Sequence, residues 1–333
     1  MSSGISRRDA IKGAVGLGVG AILGSSLPSM AVEWSHASSA AKLLRGGGVR
    51  FAHLTDTHVQ PELRAGEGFA AALQSLKKLD PMPQFIITGG DHVMDTTEKA
   101  PDRCAVQWDL YQRVLKENNQ LTVYPTIGNH DVAGWGAKEL FTENMPGFGK
   151  EMAYDRLAIK TGAYGFDGPA GADDWRFINL DSITRRNNAY YGWLGDEQFK
   201  WLTEELLRVG TKRPICITSH LPIMSVAAFF DGKRLREENK FFDVPDSYVH
   251  RDMSAIMALL EPYNVRLLLS GHLHLVDKCE YRGKTFICDG AVSGNWWKGP
   301  HQNFPEGYGV IDIWPDGSFE HQYVTYGWVA EKT

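Results

Sequence analysis

Two histidines one residue apart stand in the stretch Ser270-Gly271-His272-Leu273-His274, directly after the apolar residues 265–269. An apolar run that ends in small residues predicts a buried strand emptying into a loop. On extended backbone, side chains at i and i+2 leave the same face, so both imidazoles can hold one metal ion or two neighbouring ones. The pattern recurs along the chain. Val49–Leu54 precedes Thr55-Asp56-Thr57-His58, residues 84–88 precede Gly89-Gly90-Asp91-His92, and residues 121–127 precede Gly128-Asn129-His130-Asp131. Residues 214–218 precede Ser219-His220. Five strand ends therefore contribute Asp56, His58, Asp91, Asn129, His220, His272 and His274. Carboxylate, imidazole and amide oxygen donors together suit Mn, Fe, Zn or Co. Seven ligands are too many for one ion and about right for two ions sharing a carboxylate, which can bridge through its two oxygens.

The elements that must position these side chains alternate between strand and helix. Helical spacing of apolar residues predicts helices over 68–79, 105–116, 196–209 and 253–260. A further strand is predicted over 175–180, ending at Asp181, and β-rich segments over 278–288, 308–313 and 319–326. Strands that each deliver a polar cluster at their carboxyl ends indicate an α/β fold, in which ligands bind at that edge of the sheet. Gly89 and Gly90 let the backbone turn sharply and present Asp91 beyond its strand. Two long connections, 134–173 and 221–248, read as walls of a substrate pocket. The second, with Phe229, Phe230, Phe241 and Phe242 among charges, also reads as a self-contact surface. Asn295, Trp296 and Trp297 form either an aromatic wall or a cover for the core edge. His36, His250, His301 and His321 are read as surface or structural residues.

With 333 residues, 43% of them hydrophobic, the chain can bury a large core. A net charge of −5 without a basic stripe argues against a nucleic-acid polymer as partner. Ser6-Arg7-Arg8-Asp9-Ala10-Ile11-Lys12, an apolar glycine-rich run over 13–27 and Ser29-Met30-Ala31 have the order of a bacterial signal peptide. The paired arginines resemble a twin-arginine signal, with Ala10 where a bulky residue is usual. This reading divides the chain into a signal peptide (1–31), a linker (32–48) and one domain (49–333). It implies a periplasmic or secreted protein carried by the twin-arginine export machinery, or a membrane-anchored form if the signal is uncleaved. Cys104, Cys216, Cys279 and Cys288 have no zinc-thiolate spacing. Cys279 and Cys288 flank a predicted hairpin; a turn centred on Gly283-Lys284 would place them opposite each other, and one centred on Arg282-Gly283 would not.

Taken together, Asp56-x-His58, Gly90-Asp91, Gly128-Asn129-His130-Asp131, His220 and Gly271-His272-x-His274 resemble the calcineurin-like metallophosphoesterase superfamily. The resemblance spans roughly residues 49–313, and its pattern is most similar to bacterial cyclic-nucleotide and glycerophosphodiester phosphodiesterases. It implies a four-layer α/β/β/α sandwich with a dinuclear metal centre between the sheets. By carry-over, Asp56, His58 and His274 hold the first ion, Asn129, His220 and His272 the second, and Asp91 bridges. The implied activity is hydrolysis of small phosphate esters, most of all phosphodiesters, by metal-bound hydroxide. The alternatives are a phosphomonoesterase or nucleotidase on the same site, or a catalytically silent scaffold of the same fold. His130 is expected to face the substrate as a catalytic residue. Many relatives orient that histidine with an acid at the position of Met94; here Asp131 or Asp95 is the expected substitute. His92 is open between a hydrogen bond behind the metals and a substrate contact.

Overall fold

Strand β1 (Val49–Leu54) is buried on both faces, with Val49 and Phe51 packed on one side and Ala52 and Leu54 on the other. Such a strand needs cover above and below, and the computed structural model supplies it. Residues 46–136, 138–230, 235–236 and 241–331 are described. The expected signal peptide and most of the expected linker, residues 1–45, lie outside the described residues.

β1 pairs in parallel with β2 (Phe85–Thr88), and β2 with β3 (Thr122–Pro125). On its other side β1 pairs antiparallel with β14 (Gly307–Ile313), and β14 with β15 (Phe319–Thr325). The second sheet has the order β12-β13-β11-β8-β5-β4. Its four inner strands, β5 (Arg176–Leu180), β8 (Ile215–Ser219), β11 (Val265–Ser270) and β13 (Lys284–Cys288), run parallel. Its edges, β4 (Tyr164–Asp167) and β12 (Asp277–Tyr281), are antiparallel.

The two sheets face each other across a core of Phe51, Phe85, Trp175, Phe177, Leu267 and Ile287. Phe51 stacks on Phe85 with ring centroids 4.9 Å apart, and Phe177 meets both edge-on. Helices α1 (Ala65–Leu76) and α2 (Pro101–Asn118) cover the outer face of the first sheet through Phe69, Leu73, Trp108 and Tyr111. Helices α4 (Gly195–Val209) and α5 (Met253–Leu260) cover the second through Leu202, Leu206, Ile256 and Leu260. The result is the expected α/β/β/α sandwich. Between the sheets, buried Asp289 accepts from His53 Nδ1 and His321 Nε2, both at 2.7 Å, so a carboxylate after β13 ties β1 and β15 to the other sheet.

Three features depart from the sequence reading. The connection 134–173 is not one long wall: it contains helix α3 (Glu151–Leu157) and strand β4. A hairpin, β6 (Ile183–Arg186) with β7 (Ala189–Gly192), follows β5 directly. Within the connection 221–248 a short backbone pair joins β9 (Leu235–Arg236) to β10 (Phe241–Phe242). The β12–β13 turn is centred on Arg282-Gly283, since Tyr281 pairs with Lys284, and both turn residues have positive φ as a two-residue hairpin turn requires. This register sets Cys279 opposite Phe286 and Cys288 opposite Asp277, and both thiols are free.

Candidate metal centre

The carboxyl ends of the parallel strands of both sheets open at one edge. There β1 ends beside β2, with Leu54 opposite Thr88, and β2 beside β3, with Thr88 opposite Pro125. Cross-sheet hydrogen bonds hold the two edges together. His220 Nδ1 donates to Gly89 O at 2.7 Å, and the backbone N–H of His272 donates to Asp56 Oδ2 at 2.9 Å. Close approach demands glycine at two places. A Cβ on Gly90, whose φ is +97°, would lie 2.6 Å from His220 Nδ1, and one on Gly271 would collide with Thr55 and Asp56.

All seven expected ligands meet at this edge. In one group, His58 Nε2 and His274 Nε2 lie 3.0 Å apart, and Asp56 Oδ1 lies 3.3 Å from His274 Nε2 and 3.7 Å from His58 Nε2. In the other, His220 Nε2 lies 3.0 Å from Asn129 Oδ1 and 3.3 Å from Asp91 Oδ2. His272 completes this second group. Asp91 stands between the two, its Oδ2 also 3.6 Å from His58 Nε2. Its Oδ1 accepts from the backbone N–H of His130 at 2.7 Å, which leaves Oδ2 as the oxygen facing both groups.

The i, i+2 pair His272/His274 is not on extended backbone. Both residues have left-handed φ, +70° and +55°, as do Asp56 (+56°), His58 (+41°) and Asp91 (+52°). Non-glycine residues visit this region rarely and at a cost, so its use at five of the seven positions marks a built site. The strand hydrogen bonding stops early, and the chain is held by Asp56 N–H to Gly90 O and His58 N–H to Asp91 O, each 3.0 Å. One consequence is that the two histidines part company: His274 joins Asp56 and His58, whereas His272 joins His220 and Asp91.

Hydrogen bonds fix which nitrogen each ring offers. His274 Nδ1 donates to Gly294 O at 2.5 Å and His220 Nδ1 to Gly89 O, so both present Nε2 to the centre. His272 Nε2 donates to Ser247 O at 2.9 Å, which leaves Nδ1 as its ligand atom. Asp56 Oδ2 is occupied by Thr55 Oγ1 at 2.5 Å and by His272 N–H, while Oδ1 is buried without a hydrogen-bond partner. Buried ligand-type atoms this close together need a proton or a cation between them, and a cation can serve the whole group at once. The donor set fits divalent ions.

The charges agree. Burial pushes His58 down to about 4, and burial with the nearby His220 pushes His272 down to about 3, so both rings are neutral donors. At His220 burial acts downward, but Asp91 outweighs it and raises the ring to about 9. Burial also opposes ionisation of Asp56 and Asp91; His274 holds the first, and His220 and His130 the second, well below the usual carboxylate range.

His130 lies beside the centre, its Nε2 4.0 Å from Asp91 Oδ2. Its orienting partner is neither of the carboxylates expected from sequence. Nδ1 donates to the backbone carbonyl of Met94, which turns Nε2 toward the cleft. Asp131 is fully buried, accepting from His92 Nδ1 at 2.9 Å, His92 N–H at 2.8 Å and Gly128 N–H at 2.9 Å. It therefore braces the β2 and β3 ends and does not face the cleft. His92, whose Nε2 bonds Thr88 Oγ1 at 2.7 Å, belongs to the same brace, which answers the question left open for it. Asp95 instead holds the turn at Thr97 and Glu98.

The cleft over the centre has a volume of about 450 Å³ and is lined by Asp91, His130, Tyr190, Tyr248, Trp296 and His301, among others. Of the two tryptophans, each reading holds for one. Trp296 faces the cleft, its ring 4.6 Å from that of His274. Trp297 is core, packed on α1 over Gly68, with Nε1 donating to His58 O at 3.0 Å. His301, expected on the surface, lines the cleft, and Tyr190 and Tyr248 had not been singled out at all.

A sandwich of two mixed sheets with Asp, His and Asn donors gathered at the strand ends defines a metallophosphoesterase-type site. The chain belongs to the calcineurin-like phosphoesterase family, whose model matches residues 49–276, and which comprises metal-dependent hydrolases of phosphoric esters that use divalent ions. A probable cyclic nucleotide phosphodiesterase of Rhodococcus erythropolis is 24% identical over 237 residues, which cover 69% of this chain and 66% of that protein. Among solved structures, a dimetal phosphatase from Danio rerio superposes with a TM-score of 0.54 at 14% identity, covering 84% of this chain and 99% of that one. GAP50, the anchor in the inner membrane complex of Plasmodium, gives 0.51 at 14% identity over 84% of this chain and 85% of its own. These structural likenesses concern the fold alone.

Proposed function

We propose that the protein is an exported phosphodiesterase working with two ions. One is held by Asp56, His58 and His274, the other by Asn129, His220 and His272, and Asp91 is shared. The observation that carries this reading is the meeting of two groups of potential ligand atoms at Asp91 Oδ2. When bound, such ions supply an activated water and positive charge for the phosphoryl oxygens. His130, held through Nδ1, keeps Nε2 at the cleft, where the protonated ring donates to the departing alkoxide oxygen. The Met94 carbonyl fixes that ring without adding a second negative charge beside Asp91.

Diesters are favoured over monoesters by the character of the cleft. Among the described residues that line it, aromatic rings and histidines are present and no lysine or arginine is. A monoester brings up to two negative charges, a diester one, together with a second ester group that apolar walls can hold. The name of the Rhodococcus relative supports the same class. Export through the twin-arginine route rests on Arg7-Arg8 and the apolar run that follows; replacing both arginines by lysine should block it. The activity is tested with metal-reconstituted protein on bis(p-nitrophenyl) phosphate and p-nitrophenyl phosphate. Preferred turnover of the diester is expected; preferred turnover of the monoester would move the reading to a phosphomonoesterase.

A further inference from the structure

Tyr190, on β7, lines the cleft together with Asp91, Asn129, His130 and His272. Its ring packs in a cluster with Val132, Ile183, Leu221 and Trp135 and stands edge-on to His272, centroids 6.2 Å apart. The hairpin that carries it is paired along its length and pinned by Thr184 Oγ1 donating to Trp193 O at 2.8 Å. Burial, then the carboxylate of Asp91, pushes the phenol up from its ordinary value, with Tyr248 and Asp56 adding to the effect.

The Tyr190 ring meets His272 edge-on at the cleft wall, and its hydroxyl is not engaged with a backbone carbonyl among the described residues. Tyr164, Tyr323 and Tyr326 offer a contrast, each donating to a backbone carbonyl at 2.5–2.9 Å. Tyr190 is half-buried at the cleft wall, so its O–H is open to an acceptor that enters the cleft. A phosphoryl group seated over the centre brings charged oxygens to this side of the cleft, where the described lining offers no lysine or arginine.

We propose that Tyr190 is a substrate-binding residue whose hydroxyl donates to a non-bridging phosphoryl oxygen on the His220–His272 side of the centre. The inference rests on the phosphoesterase reading above and sharpens it. A neutral donor in place of a cation suits a monoanionic diester, and an O–H···O⁻ bond is among the stronger hydrogen bonds.

The test compares metal-loaded wild type and Tyr190→Phe, as full chains, for inorganic phosphate binding by calorimetry. Metal content by mass spectrometry and the kcat and KM for bis(p-nitrophenyl) phosphate are read in parallel. Tyr190→Phe should keep its metal and bind phosphate about tenfold more weakly, the loss of one hydrogen bond to a charged group. Unchanged phosphate affinity at full metal content would overturn the assignment. So would metal loss, which would make Tyr190 a support for His272. Wild type that turns over diesters while Tyr190→Phe binds phosphate equally well leaves the phosphodiesterase reading standing and removes this one. Wild type that turns over no ester, with phosphate binding still dependent on Tyr190, does the reverse. Should the variant not fold, nitration of wild-type Tyr190 by tetranitromethane decides: phosphate should shield it, and equal labelling with and without phosphate would overturn the role.

Discussion

The two halves of the metal centre are built differently. Asp56, His58 and His274 are buried, and all three sit on left-handed backbone. They are closed in by Trp296 against His274 and tied down by Trp297 Nε1 on the His58 carbonyl. Asn129 and His220 are buried as well, but of this half only His272 uses left-handed backbone, and it is half-buried and borders the cleft beside Tyr190 and Tyr248. Each left-handed non-glycine residue costs about 1–3 kcal/mol, so the first half holds its shape only because its surroundings determine it. The contrast suggests a division of labour. On the two-ion reading proposed above, the first half would anchor an ion and the second would meet the substrate.

The largest effect is expected at the residue the halves share. Asp91→Ala should lose both ions by mass spectrometry and reduce diester turnover by about 10³-fold or more, roughly 4 kcal/mol of barrier. Retention of either ion at wild-type affinity would show that the halves are independent. His130→Ala should keep both ions and lose about 10²- to 10⁴-fold in kcat, as a proton donor outside the ligand set would. Metal loss in that variant would make His130 a ligand. Thr55→Val removes the hydroxyl that holds Asp56 Oδ2 and should weaken the first half by about 10- to 100-fold in metal affinity, leaving the second half intact. Titration of each ion separately checks this. Gly68→Ala pushes a methyl group into the Trp297 ring and should cost about 1–3 kcal/mol in denaturant unfolding. The smallest effect belongs to Asp95→Asn. Because Met94 holds His130, kcat should change by less than about twofold, or about 0.4 kcal/mol; a larger loss would return the orienting role to Asp95.

Much of this centre was legible from residue types. Polar clusters after apolar runs name strand ends, and parallel strands must bring their ends to one edge. The seven positions therefore emerged in order, whereas the division of His272 from His274 was implied by the family resemblance alone. What remained hidden depends on backbone. The ligands' left-handed φ has no residue signature at Asp or His, so extended geometry was the natural expectation for the histidine pair. The partner of His130 is a main-chain carbonyl, which every residue carries, and a search for carboxylates could not find it. Asp131 looked catalytic because it adjoins His130, yet it faces His92 and Gly128 from the other side of the same turn. Tyr190 reaches the cleft on a four-residue strand whose burial rises from one end to the other without alternating, too short a pattern to read. The tryptophan pair shows the same limit. Adjacent residues of one type took opposite roles because the left-handed backbone at both turns one ring inward and the other to the cleft.

The account stands most directly on ion stoichiometry. Native mass spectrometry of the metal-reconstituted protein should find two ions per chain in wild type and one in Asn129→Ala, the remaining ion still bound by the first half. One ion in wild type, or equal loss of metal in Asn129→Ala and His130→Ala, would contradict the division of the site at Asp91.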